Sequence, residues 1–212
     1  DIRIGNTPNY RGTAEFSGGQ VRIQQFVPMS ARFKAQFAID GPRIHLDRID
    51  MDTDGATTVA TGDVDMAHWP EQTYQVQSRV DFPRMKQLFF KDEKWTVAGD
   101  GNFKGTFHLS KNGPDLQGAF TSAIAGVNEY RFPELYGSLR WTKAAFDIVD
   151  AGSKFYGGDA RFTYGIKPFG AGVRPTHHFD AAVTNLDLVR FTDFEQLRGL
   201  RFAGTASLHN VL

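Results

Sequence analysis

Three aspartates at alternate positions carry the most suggestive chemistry in the chain. Asp50, Asp52 and Asp54 precede Gly55, and a calcium-binding loop of the EF-hand type opens in the same way. Such a loop ends on a glutamate, whereas its last position here is Thr61. Alternate aspartates on the wet face of a strand, followed by an Asp-Gly turn, explain the same pattern. We therefore predict no metal site, with calcium at these three aspartates as the alternative.

The six histidines lack the spacing of a metal or catalytic site. They are His45, His68, His108, His177, His178 and His209. No two of them are four residues apart, and the chain has no cysteine to complete a zinc site. His177 and His178 would point to opposite faces of a strand. We predict that the histidines are solvated surface residues.

The remaining signals for catalysis are also weak. The sequence contains no Gly-x-Ser-x-Gly elbow, and no helix pattern follows Gly99-x-Gly101, so neither an acyl-transfer nucleophile nor a phosphate loop is indicated. Two of the many aspartates could form a glycoside-hydrolase pair, but the sequence does not give their separation. We predict a protein that is not an enzyme and that needs no cofactor.

The charge balance narrows the possible partners. Lys and Arg number 24 and Asp and Glu number 24, so the formal net charge is zero. This removes the basic footprint of a nucleic-acid-binding protein and that of a protein that docks on anionic membranes. No run of apolar residues approaches the roughly 18 that a membrane-spanning helix requires. We predict no nucleic-acid partner.

The longest strand pattern, over residues 95–109, would organise the rest of the fold. Its odd positions are apolar or glycine and its even positions are mostly polar, which is typical of a strand with one dry face. Gly99, Gly101 and Gly105 fall on the dry face, where glycine thins the apolar surface or lets the strand bend. The same alternation recurs over 10–23, 32–40, 44–51, 57–66, 74–82, 116–124, 136–141, 145–149, 155–162, 179–183 and 200–208.

Turn and helix signals complete an all-β prediction. Asp54-Gly55 predicts a hairpin, and a slip of the alternation at Arg48 predicts a β-bulge. Short helices are predicted over 83–90, with Asp81 as the N-cap, and over 188–197. Strands joined mainly as hairpins, with one or two short helices, define the fold class.

Two parts of the chain resemble each other. Residues 80–88 lead to Gly99, and residues 186–194 lead to Gly204, with offsets of about 105 residues. The chain starts at Asp1 rather than methionine and stops after a strand pattern. We therefore expect 1–212 to be a single β-rich fragment of a longer protein, with two similar units at about 10–109 and 116–212.

These segments resemble the AsmA-like (TamB, translocation and assembly module) family of bacterial envelope proteins. The resemblance is carried by residues 81–88 and 186–194, each leading into a glycine-containing strand, and by the hairpin of residues 49–55 and 60–64. It implies an elongated antiparallel sheet curved into an open apolar groove. It also implies a periplasmic location, a parent protein anchored in the inner membrane by a segment outside this chain, and transfer of phospholipid between the two membranes. A phospholipid or other acyl-chain lipid is the expected partner, and an outer-membrane β-barrel protein is a further candidate.

The predicted groove lining consists of the apolar and aromatic residues on the dry sides of the strands. They are Phe33, Phe37, Ile39, Tyr74, Val76, Val80, Trp95, Val97, Phe103, Phe107, Phe120, Leu139, Trp141, Phe162 and Tyr164. The alternative is an ordinary core between two sheets. That alternative favours a β-sandwich that binds or scaffolds carbohydrate or protein, or a hydrolase built on a sandwich. Assembly of outer-membrane proteins is a further alternative to lipid transfer.

Overall fold

The computed structural model describes residues 2–3, 9–21, 27–168, 174–197, 199 and 202–212. The strands form one antiparallel sheet in which each strand pairs with its neighbours in sequence, so the strand order is the chain order. The strands are β1 (Ile2–Arg3), β2 (Asn9–Val21), β3 (Met29–Asp40), β4 (Arg43–Thr53), β5 (Ala56–Asp65), β6 (Gln72–Asp81), β7 (Val97–Ser110), β8 (Gly113–Val127), β9 (Tyr130–Thr142), β10 (Phe146–Phe155), β11 (Gly158–Lys167), β12 (Thr176–Asp187) and β13 (Thr205–Val211). The all-β prediction is confirmed.

The sheet is open and has a single layer. No pairing joins β1 to β13 among the described residues, so the sheet does not close on itself. The β-sandwich alternative is therefore wrong, because the described strands contribute no second sheet. The accessible surface is 13758 Å², whereas a compact protein of this size would expose about 9,800 Å².

Two short helices follow equivalent strands. Helix α1 (Phe82–Phe89) follows β6, and α2 (Leu188–Phe194) follows β12. The Asp81 carboxylate accepts a hydrogen bond from the Arg84 amide, and Asp187 accepts from the amides of Val189 and Arg190. These N-caps fix where the helices begin. Neither helix, and no other helical segment in the described residues, is long and apolar enough to span a membrane.

Helix α2 is shorter than the sequence predicts from Phe191 and Phe194 sharing one helical face. The prediction extends to residue 197, whereas the helix ends at Phe194. Gln196 has φ 53°, a left-handed conformation that cannot continue a right-handed helix.

The sheet is bent by bulges and curves around α1. A register shift between Leu46 and Ile49 confirms the predicted bulge at Arg48, and the pairing of β7 with β8 shifts between Gly99 and Asn102. At the end of α1, the Leu88 carbonyl accepts a hydrogen bond from the amide of Val27, just before β3. The next side chain, Phe89, packs against the indole ring of Trp141 in β9.

Five strands separate β3 from β9 in the sheet. At about 4.8 Å per strand, β3 and β9 would be roughly 29 Å apart in a flat sheet. Because one helix end touches both regions, the sheet is concave on the side that carries α1.

The two similar segments have the same order of elements. Each is a strand, a short helix and a strand, namely β6, α1 and β7, and β12, α2 and β13. The Asp81 amide donates to the Gly55 carbonyl, and the Asp187 amide donates to the Tyr156 carbonyl. The division into units at 10–109 and 116–212 remains a prediction.

Four strand predictions need correction or extend beyond the described residues. Strand β7 begins at Val97, so Trp95 lies before it. The segment predicted as a strand over 155–162 contains the turn at Tyr156 and Gly157. Ile23 and Leu200, in two of the other predicted strands, lie outside the described residues.

Candidate functional site: a concave apolar sheet face

Fourteen of the fifteen predicted lining residues lie in strands, and Trp95 lies in the segment before β7. Residues that pair across an antiparallel sheet share a face. Tyr74 pairs with Phe107, Phe107 with Leu116, and Leu116 with Trp141. The structure thus brings predicted residues from β6, β7 and β9 into one row. Their role as lipid contacts remains a prediction.

A second row lies closer to the helices. Phe16 pairs with Phe33, and their rings stack with centroids 5.6 Å apart. Further along the sheet, Phe103 pairs with Phe120. Apolar residues therefore occupy the same face from β2 to β12, and they include several that the sequence analysis did not single out. These are Tyr10, Phe16, Leu46, Ile49, Met51, Leu116, Phe132, Phe146, Ile148 and Phe179.

Glycines on this face lie beneath aromatic rings. A Cβ atom added at Gly62 would meet the Tyr74 ring, one at Gly137 would meet Phe120, and one at Gly12 would meet Tyr10 and Phe37. The rings fill the space that the missing side chains leave. The result is a low apolar floor, which refines the prediction that glycine thins this surface.

The apolar face is open over β2–β6, which we call the open half. Phe16 and Phe33 are 37% and 38% exposed, and Tyr10 is 40% exposed. The small residues Ala35 and Ala60 beneath them are buried. Large aromatic side chains therefore face solvent across the first strands of the sheet, which no second sheet covers in the described part of the chain.

The apolar face over β9–β12, the covered half, lies beneath α2 and residues 89–95. We call residues 89–95 the strap. The Phe89 ring packs edge-on against Trp141 with centroids 4.6 Å apart, and the Phe90 ring packs against Phe146 at 5.0 Å. Trp95 packs against Phe90, and its indole ring lies beside the Tyr164 hydroxyl. The strap thus reaches β9, β10 and β11.

A polar cluster joins the strap to β12. The imidazole Nε2 of His177 lies 3.5 Å from a Glu93 carboxylate oxygen, and its Nδ1 lies 2.9 Å from the Tyr164 hydroxyl. Burial, together with the nearby Glu93 carboxylate, raises the pKa of the Tyr164 phenol. The Lys86 ammonium donates to the Glu93 carbonyl. Because His177 is half-buried in this cluster, the prediction that every histidine is a solvated surface residue is wrong for it.

An aromatic cluster beneath α2 closes the other end of the covered half. Tyr156 packs against Phe191 and Phe194 of α2, with centroids 5.7 and 4.8 Å apart. Tyr130 packs against Phe194 and donates a hydrogen bond to Glu195. These contacts attach α2 to the turns that end β8 and β10. No comparable group of rings lies at the start of α1 among the described residues.

The outer face of the sheet is polar, and the three aspartates of the calcium-like pattern contribute to it. Asp50 pairs with Arg48 and Asp52 pairs with Arg32 on this face. Asp54, in the turn, accepts a hydrogen bond from the Ser30 amide and pairs with Arg84. In the described residues, no three histidine, cysteine, aspartate or glutamate side chains converge as metal ligands.

The strap was not predicted from the sequence, although its residue types carried a signal. Phe89 and Phe90 are adjacent, so one of them cannot belong to the buried face of a short helix. Such a surplus aromatic indicates a contact outside the helix. The position of that contact depends on the curvature of the sheet, and the alternation does not give it.

Comparison of the chain with protein-family models, with curated proteins and with solved structures finds no match in any of the three.

Proposed function

We propose that the protein is a non-catalytic lipid carrier whose concave apolar face holds acyl chains. One observation supports this proposal above all. A single-layer sheet carries a continuous apolar face, and the rings of Tyr10, Phe16 and Phe33 on that face are more than a third exposed. An exposed apolar surface of this extent on a soluble protein marks a binding site for an apolar partner.

The curvature favours a lipid over a flat protein surface as this partner. A concave floor can surround a flexible chain on several sides, and each buried methylene contributes about 0.8 kcal/mol. Two hydroxyls on the face are hydrogen-bonded to each other. Thr58 and Ser78 lie opposite each other and form a hydrogen bond of 2.8 Å between themselves. Acyl chains, rather than a particular head group, are therefore the proposed ligand.

The cellular setting rests on the family resemblance alone. We place the protein in the periplasm, as part of a parent protein anchored in the inner membrane. In that setting the groove would carry phospholipid between the inner and outer membranes. An outer-membrane β-barrel protein is the further proposed partner.

A matched pair of substitutions tests the lipid site. Phe33 and Val59 are each 38% exposed but lie on opposite faces, because Val59 pairs with Asp50 on the outer face. Phe33→Arg places a charge in the proposed path of the chain, where an acyl neighbour cannot solvate it. Val59→Arg places the same charge beside a carboxylate. Both variants should fold, because both positions are open to water.

The measurement is the phospholipid bound per protein, obtained by mass spectrometry after extraction and by uptake from vesicles of fluorescent phosphatidylcholine. Wild type and Val59→Arg should carry lipid, and Phe33→Arg should lose most of it. The proposal fails if wild type takes up none from the vesicles, or if folded Phe33→Arg binds as much as Val59→Arg.

A further inference from the structure

The aromatic contacts of the strap suggest that part of the groove is closed by the protein itself. Phe89 and Phe90 make T-shaped ring contacts with Trp141 in β9 and Phe146 in β10. Those two residues lie in the row that starts at Tyr74 in the open half and runs through Phe107 in β7. The strap side chains therefore take up apolar surface that directly continues the open floor.

Few backbone hydrogen bonds join the strap to the rest of the described chain. The Phe90 amide donates to the Lys86 carbonyl, and the Glu93 amide donates to the Phe90 carbonyl. The next attachment is at Thr96, which exchanges hydrogen bonds with Asn128. Lys91, Asp92 and Lys94 are exposed. A segment held mainly by side chains, with few backbone hydrogen bonds, opens at a lower free energy than the strands beneath it.

The attachments of the strap are of the kind that an acyl chain can replace. The ring-on-ring contacts at Trp141 and Phe146 are apolar, so a methylene chain on the same rings would recover the buried area. The contact between Glu93 and His177 lies at the far side of the strap, and each of these side chains is reached by water over roughly a quarter of its surface. Opening would therefore leave both polar groups solvated.

We propose that the strap is a displaceable closure, and that an acyl chain entering from the open half takes the place of Phe89 and Phe90 against Trp141 and Phe146. This inference rests on the proposed lipid-carrier function and adds a second binding position and its control. The open half binds lipid at all times, whereas the covered half binds only after the strap has moved.

The test uses Trp141 as a reporter. In a Trp69→Phe, Trp95→Phe background it is the single tryptophan, since the chain has three. The probe is a vesicle of phosphatidylcholine with a nitroxide on the acyl chain, which quenches indole fluorescence on contact. Phe90→Ser with Glu93→Ala releases the strap. Lys91→Ser with Lys94→Ala, at exposed positions of the same strap, is the matched control.

We expect the released variant to be quenched several-fold faster than the background and the control variant to be quenched at the background rate. Equal quenching rates in the released and control variants would overturn the strap proposal. Hydrogen exchange of residues 89–95 without lipid gives an independent readout, and it should be faster in the released variant only.

A cross-link reverses the experiment. The chain has no cysteine, so Phe90→Cys with Phe146→Cys can be joined selectively by a short bifunctional maleimide. The cross-linked protein should lose quenching at Trp141 while still taking up fluorescent lipid in the open half. The same variant without the cross-linker is its control.

The outcomes separate the two proposals. Lipid uptake with unchanged quenching in the cross-linked protein would refute the strap and leave the carrier function standing. Failure of every variant, wild type included, to take up lipid would refute the carrier function itself.

Discussion

The open and covered halves have similar aromatic side chains, but these rings differ in how much of their surface is exposed to water. In the open half, Phe16 and Phe33 stack on each other and remain more than a third exposed. In the covered half, Phe155 and Phe132 also stack, with centroids 5.4 Å apart, but Tyr130 and Phe191 pack over Phe155 as well. The difference shows that composition sets how apolar a face is, whereas the segments between strands decide how much of it a ligand can reach.

The largest loss of stability is expected for Leu88→Ala, at the end of α1. This variant tests whether the contact there holds the two halves together. Leu88 is 1% exposed, and Leu88→Ala leaves a cavity where the sheet curves around the helix. We expect a loss of about 2–5 kcal/mol in the free energy of unfolding, measured by denaturant titration.

Leu208→Ala is the control, since Leu208 in β13 is 48% exposed. Its expected change is within about 0.5 kcal/mol. Equal losses in the two variants would show that α1 does not contribute to the curvature.

Replacing either of two glycines of the apolar face by alanine should destabilise the fold to a different extent, because different atoms lie beside them. A Cβ at Gly118 in β8 would overlap the backbone carbonyl of Lys104 in β7. For a Cβ at Gly12 in β2, the nearest atoms would be side-chain atoms of Tyr10 and Phe37, at 2.8 and 3.0 Å. We expect Gly118→Ala to lower the free energy of unfolding by about 1–3 kcal/mol, as overpacking does. Gly12→Ala should lower it by clearly less.

Thermal unfolding of the two alanine variants measures this difference. A larger loss for Gly12→Ala would mean that the rings of the open half are held as rigidly as a backbone. The open half would then not be the adaptable surface that the carrier proposal requires.

Removal of a helix N-cap should lower the stability of the fold by a smaller amount. Asp187 accepts from two amides at the start of α2, whereas Asp81 accepts from one at the start of α1. Loss of an N-cap lowers the free energy of unfolding by about 0.5–2 kcal/mol. We expect the loss in Asp187→Ala to lie at the upper end of this range and the loss in Asp81→Ala at the lower end. Denaturant titration measures both, and the reverse order would contradict the hydrogen-bond pattern.

The smallest expected effect is a pH dependence confined to the α1 end. A hydrogen bond from the Ser30 amide, together with Arg84, lowers the pKa of Asp54 below its ordinary value. A lowered carboxyl pKa stabilises the fold above the unfolded-state pKa, and this stabilisation is lost as pH falls through the folded-state pKa. Hydrogen exchange should therefore show α1 loosening in acid before α2, whose neighbouring turn is held by Tyr156.

Asp54→Asn is the matched variant for this pH dependence. It removes the titrating group, so the difference between α1 and α2 should no longer change between neutral and acidic pH. A wild-type difference that persists in Asp54→Asn would assign the acid sensitivity to another carboxylate.

Alternation and capping residues predicted the strands and helices well, because these structures are determined by residues close together in sequence. The alternation over 74–82 corresponds to β6, and Asp81 caps the helix that follows, as expected from its side chain and the proline at residue 83. The strap was not predictable in the same way. Trp95 continues the alternation of Val97, yet it lies before the strand, because its partners Phe90 and Tyr164 meet it only after the sheet has curved.

His177 shows the same limit of a local pattern. Its adjacency to His178 predicted opposite faces correctly, since His177 is half-buried and His178 is exposed. The sequence did not predict Glu93 as its partner. That contact spans more than eighty positions of the chain and depends on where the strap crosses the face.

The order of the strands has a consequence for how the chain folds. Each of the described strands pairs only with the strands just before and after it in sequence, so each interface closes a short loop. Low contact order of this kind favours fast folding, here by addition of one hairpin at a time to a growing edge. The sheet can then lengthen from either end without disturbing the pairings already made, because no pairing among the described strands closes it and fixes their number.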